Sequence, residues 1–131
     1  MSVVPQIIQD VGFDFDWDNK KVWALDIPVT SMPMSDLAWH FDIPFWDSEG
    51  ADEYNLKPSE VIAHPEKEPT HFKKIMEADL SYLIDIMENK RRWLILDGLH
   101  RLVRLNMLGT QEIKVRIVPR EMISQILCDK H

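Results

Sequence analysis

Hydrophobic and polar positions change period several times along the chain. Phe13, Phe15 and Trp17 alternate with Asp14, Asp16 and Asp18, the period of two that suits a strand with one buried face. Asp18-Asn19 then reads as a turn into Val22-Trp23-Ala24-Leu25, which predicts an N-terminal β-hairpin. Residues 28 to 58 break the pattern with Pro28, Pro33, Pro44 and Pro58, leaving one short helical candidate from Ser35 to His40 with Ser35 or Asp36 as its cap. Trp39, Phe41, Phe45 and Trp46 in this stretch read as a packed cover over the core, a ligand or partner groove being the lesser alternative. Asp47 to Glu53 reads as an exposed acidic loop.

The second half is more regular. Thr70 opens an amphipathic helix with Phe72, Ile75 and Met76 on one face. Tyr82 to Met87 and Arg92 to Leu96 are apolar runs on either side of a Glu88 to Arg91 turn, so they predict a strand, a turn and a strand. Leu99 to Leu108 carry a helical pattern ended by Gly109, the residue expected in the left-handed position past a helix. Ile113, Val115 and Ile117 alternate with Lys114 and Arg116 as a last strand, and Pro119 starts a closing helix bearing Met122, Ile123, Ile126 and Leu127. The expected fold class is α+β, a small mixed β-sheet with flanking helices plus the N-terminal hairpin. Residues 1 to 50 form a hairpin and an aromatic, proline-rich extension, residues 51 to 131 form the domain proper, and the two make one compact unit.

Composition narrows this picture. A chain of 131 residues with 45% apolar and 28% charged positions is long enough for one core and ordinary for a globular protein. The single Cys128 allows no internal disulfide, no apolar run approaches the roughly 18 residues of a membrane helix, and the N-terminus has no signal-peptide pattern. The expectation is a cytoplasmic protein with no membrane partner. A net charge of -7 argues against broad attraction to nucleic acid. That charge is unevenly spread, because residues 90 to 120 carry Lys90, Arg91, Arg92, Arg101, Arg104, Lys114, Arg116 and Arg120 against Asp97 and Glu112. A local phosphate site is therefore compatible with the acidic total.

Two superficial metal motifs fail. Taking Asp14 as the first position of a calcium loop puts Asn19 where the turn glycine belongs and Leu25 where the bidentate glutamate belongs, so the acidic run reads as a solvated face. His64 and His71 are separated by Pro65 and Pro69 and read as exposed histidines rather than a ligand pair. The stronger chemistry lies in RWLILDGLHRLVRLNMLG. There an apolar strand stops at Asp97-Gly98 and a helix starts with His100 and Arg101 in its first turn. A helix N-terminus offers unpaired N–H groups and the positive end of a dipole, Gly98 admits a close approach, and Arg101 presents a planar donor fork. A cationic pair there opposes the dipole unless an anion is bound. The alternative is that Asp97 caps the helix and pairs with Arg101, with His100 exposed. Local pattern leaves both readings open.

The order of Ile84-Asp85-Ile86, the Asp97-Gly98-Leu99-His100-Arg101 corner, the Leu108-Gly109 helix end and Ile113-Lys114-Val115-Arg116-Ile117 resembles the ParB/sulfiredoxin superfamily, over about residues 55 to 120. The resemblance implies a nucleotide site, with phosphates at the helix N-terminus held by Gly98, Leu99, His100, Arg101 and Leu102. Members of that superfamily bind or hydrolyse CTP, use ATP in sulfinic-acid repair, or phosphorylate serine with ADP or ATP, and the fold alone does not choose. Leu99 occupies the place of the sulfiredoxin cysteine, which argues against that activity. The chain has no room for a helix-turn-helix module after Arg120, so specific DNA binding by this chain alone is not expected. The corner is closer to that of the free serine kinases. By that likeness Glu60 or Asp97 supplies a carboxylate, with a plain surface residue as the alternative for Glu60, His100 assists proton transfer, and Mg²⁺ bridges the phosphates of ATP, ADP or CTP. Lys57, Lys73 and Lys74 read as a border of the site, a solvated helix face being an equal alternative for the latter two. No protein side chain is assigned as a dedicated metal ligand. The competing expectation is a non-catalytic nucleotide- or anion-binding module whose acidic N-terminal half docks a protein.

Overall fold

The computed structural model describes residues 5–47 and 54–128; most of the acidic loop expected from Asp47 to Glu53 lies outside the described residues. Short helices α1 (Gln6–Asp10) and α2 (Asn19–Trp23) precede strand β1 (Val29–Pro33). Two 3₁₀ turns, Met34–Asp36 and Ala38–Asp42, then lead to α3 (Pro58–Ala63) and α4 (Pro69–Met76). Strands β2 (Ile84–Asn89) and β3 (Arg92–Asp97) are followed by α5 (Leu99–Met107), β4 (Glu112–Ile117) and a closing α6 (Ile123–Ile126). The architecture is α+β: one four-stranded mixed sheet in the order β1-β4-β2-β3, with flanking helices. β1 pairs antiparallel with β4, β4 parallel with β2, and β2 antiparallel with β3.

The β2–β3 hairpin closes through Lys90 and Arg91, both at positive φ (50° and 64°). That is the type I′ geometry whose twist matches the strands it joins. Alternation then sorts the side chains between two faces. Ile84, Ile86, Ile95, Ile113 and Val115 join Val61, Ile75, Leu102 and Val103 under α3, α4 and α5. Met87, Leu96, Val118 and Ile126 line the opposite face with Val22 and Ile27, and Leu94 packs there with Ile8, Val11 and Phe13. Because Leu94, Ile95 and Leu96 of β3 are buried on both faces, that strand reads in sequence as a continuous apolar run, whereas β2 interrupts its own with the buried Asp85.

The expected N-terminal hairpin is corrected here. Asp18 Oδ1 accepts from the Lys20 N–H at 2.9 Å, so Asp18-Asn19 begins α2 and is not a turn between strands. Phe13, Phe15 and Trp17 do face inward, but they pack on the second face of the sheet, and Trp17 makes only an isolated bridge to Leu127. Among the described residues of the first fifty, the strand contributed to the sheet is β1, inside the stretch expected to be irregular. No helix among the described residues is long and apolar enough to cross a membrane.

Candidate functional site

The corner between β3 and α5 is built around Gly98, at φ 113° and ψ 20°. A left-handed residue here costs an L-amino acid about 1–2 kcal/mol, so the turn selects glycine. A Cβ at Gly98 would also lie 3.0 Å from Arg101 Nη2, because the guanidinium folds back beneath the turn. No side chain caps α5. The first intrahelical bond runs from the Leu102 N–H to the Gly98 carbonyl at 2.9 Å, so the N–H groups of Leu99, His100 and Arg101 precede the hydrogen-bonded ladder.

Asp97 and Arg101 form an ion pair of 3.0 Å across one helical turn, each side chain about one-fifth exposed. Arg101 Nη2 also donates to the Leu83 carbonyl at 3.1 Å, and its Cζ lies 5.9 Å from the Tyr82 ring centroid. Its Nε is buried with no hydrogen-bond partner among the described residues, an orphan donor of the kind native structures rarely keep. Asp97 Oδ2 accepts a second bond from Trp23 Nε1 at 2.9 Å. The alternative in which Asp97 pairs with Arg101 therefore describes the geometry, though Asp97 does not cap the helix.

His100 is not exposed. Its ring lies parallel to Trp46, 4.2 Å between centroids and 10° between planes, and His71 lies on the same indole at 4.7 Å and 9°. The two imidazoles meet edge to edge, His71 Nδ1 to His100 Nε2 at 3.2 Å, and His71 Nε2 lies 2.8 Å from the Asp47 carbonyl. A carbonyl only accepts, so His71 carries a proton on Nε2; in its neutral form Nδ1 is then the acceptor and His100 donates from Nε2. Burial, with His71, Lys74 and Arg101 nearby, lowers the His100 pKa to about 4. His100 is therefore neutral at pH 7, and the cationic His–Arg pair expected from the sequence does not exist. His71, expected to be exposed, is instead the partner of His100; His64 is the exposed one, 3.5 Å from Glu66.

A cleft of about 280 Å³ opens at this helix N-terminus, lined by Lys74, Ala78, Asp79, Asp97, Gly98, Leu99, His100 and Arg101. It brings together five of the expected residues: Asp97, Gly98, Leu99, His100 and Arg101. Leu102 is fully buried in the core and its N–H is already bonded to Gly98, so it offers nothing to a ligand. Glu60 is absent from the cleft lining: its Oε1 accepts from the Lys57 N–H at 2.9 Å and closes the first turn of α3. Of the three flanking lysines, Lys74 lines the cleft and Lys57 and Lys73 do not. Asp79 was not anticipated; its carboxyl is held below its usual pKa by the Ser81 hydroxyl and N–H, so it stays ionised. Among the described residues no group of three or more His, Cys, Asp or Glu is placed to hold a metal. Two carboxylates, Asp79 and Asp97, line the cleft.

Comparison with models of known protein families, with curated proteins and with solved structures finds no match to this chain. The resemblance to the ParB/sulfiredoxin superfamily therefore rests on its own residues and on the order of its elements.

Proposed function

We propose that the chain is a nucleotide-binding domain of the ParB/sulfiredoxin type, taking ATP, ADP or CTP through its phosphates at the Gly98 corner. The observation that carries this reading is the cleft itself: an uncapped helix N-terminus, Lys74 at its rim and an Arg101 guanidinium with a buried, unused N–H. Mg²⁺ bound with the phosphates supplies positive charge against them, with Asp79 and Asp97 as its protein carboxylates.

The geometry favours binding over phosphoryl transfer. A general base needs a free lone pair at a suitable pKa, aimed at the nucleophile. Glu60 is spent on a helix start, Asp97 Oδ2 is shared by Arg101 and Trp23, and His100 gives its Nε2 proton to His71. Of the three only Asp97 keeps an unbonded oxygen, Oδ1, so any transfer chemistry would rest on that atom.

Thermal unfolding with ADP, ATP or CTP and Mg²⁺ tests the reading, because a ligand of the folded state raises its stability. A rise in Tm that Lys74→Glu abolishes is expected; Lys74 is exposed, so this variant leaves the core alone. If no nucleotide moves Tm, the corner is not a nucleotide site. Phosphate release measured in parallel decides the second point: turnover reduced by Asp97→Asn would replace the binding reading with an enzymatic one.

A further inference from the structure

A second cleft borders the phosphate cleft. A cavity of about 620 Å³ lined by Trp23, Ser81, Tyr82, Leu83, Asp85, Asp97, Arg101 and Arg116 shares Asp97 and Arg101 with it. Trp23 and Tyr82 are large aromatic residues left 55% and 66% exposed. Single exposed aromatics are unremarkable, but two lining one cavity beside an uncapped helix N-terminus are a ready stacking surface.

The placement of Trp23 is specified by several bonds. Arg116 on β4 pairs with the buried Asp85 at 2.8 Å and donates to the carbonyls of Val22 and Leu25 at 3.1 and 3.0 Å, which fixes the C-terminal end of α2. Trp17 Nε1 anchors the other end, donating to the Leu96 carbonyl at 3.0 Å and to Asn19 at 2.8 Å. The Trp23 indole is then tied to Asp97 by its own N–H, with its ring left to solvent. The same bonds seat Val22 in the core on one side of α2 and hold the Trp23 ring outside it.

We infer that this second cleft takes the heterocyclic base of the nucleotide, stacked on Trp23 and Tyr82, with the sugar lying across Asp97 and Arg101 and the phosphates reaching the α5 N-terminus. The inference rests on the phosphate reading above and assigns the rest of the ligand. A π-face accepts any base, so the aromatic pair selects for a planar ring rather than for one base. Asp97 lines both clefts and its Oδ1 accepts no bond among the described residues, so it receives a ribose hydroxyl.

Isothermal titration of ATP, 2′,3′-dideoxy-ATP and inorganic tripolyphosphate, each with Mg²⁺, into wild type, Trp23→Ala, Trp23→Phe and Tyr82→Ala separates the two readings. ATP is expected to bind more tightly than tripolyphosphate. Trp23→Ala should weaken ATP by about 5- to 150-fold, the range of one base–aromatic stack, while leaving tripolyphosphate unchanged. Trp23→Phe retains a ring without the N–H and should recover much of the loss, which distinguishes stacking from the bond to Asp97. The dideoxy nucleotide should bind less tightly than ATP. If tripolyphosphate binds as tightly as ATP, or if both Trp23→Ala and Tyr82→Ala leave ATP affinity intact, the base subsite is refuted and the phosphate site stands. If neither ligand binds, both fall.

Discussion

Acid should weaken this protein through His40, and the size of the effect follows from the fold. β3 is an edge strand, and at Ile95 its outward N–H meets a side chain in place of another strand: His40 Nε2 accepts from the Ile95 N–H at 3.1 Å. The same ring donates from Nδ1 to the Leu37 carbonyl at 2.7 Å and is 1% exposed. Protonating Nε2 would remove the acceptor and bury a charge. Burial chiefly, with Arg92 nearby, therefore depresses the pKa from 6.5 to about 4. The unfolded chain takes up this proton near pH 6.5 and the folded one does not until about pH 4. Stability from His40 is thus fully present above that window and lost as pH falls through it. At about 1.4 kcal/mol per pKa unit, the whole loss is on the order of 3 kcal/mol. The assay is urea unfolding of wild type and His40→Gln at about pH 7.5, 6.5 and 5. Gln keeps an acceptor for Ile95 but loses the donation to Leu37, so it should cost about 1–3 kcal/mol at the highest pH. The gap to wild type should then shrink by about 1.5 kcal/mol between pH 6.5 and 5, since only wild type carries this titration. Carboxylates and His100 titrate in both proteins and cancel. A gap that stays constant over that range would refute the assignment.

Other outcomes follow from the site and the sheet. Gly98→Ala should lower stability by about 1–2 kcal/mol in chemical denaturation, from its left-handed backbone and the guanidinium behind it. Asp85→Asn leaves Arg116 buried without its counter-charge and should cost about 3–5 kcal/mol; a loss under about 1 kcal/mol would mean that the pair is solvated. Trp46→Leu uncovers the two imidazoles and should raise the His100 pKa from about 4 toward 6.5, followed by NMR titration of the ring protons; an unmoved titration would put the cause elsewhere.

The second half of the chain was legible because its signals are local. Tyr82 to Gly109 carry strand, turn, strand, helix and stop in order, and Gly109 sits at φ 79° past the helix as its position implied. The N-terminal half misled because a period of two describes burial, not pairing. Phe13, Phe15 and Trp17 face inward as the alternation required, yet they lie against a sheet made by later residues. β1 was hidden for a related reason: in Val29–Pro33 only Met32 is buried, so an edge strand bonded to β4 shows almost no apolar pattern.

The same division holds at the site. Sequence alone identified the corner, since Asp97, Gly98, Leu99, His100 and Arg101 are neighbours whose geometry a strand end and a helix start dictate. Only the tertiary structure decided what each side chain does there. His100 is made neutral by Trp46 and His71, 54 and 29 positions away, and Arg101 is turned back onto Asp97 and Leu83. Trp23 and Tyr82 reach the neighbouring cleft from opposite halves of the chain. Burial and charge act through space, and residues distant in sequence set the chemistry of a corner that local pattern can only locate.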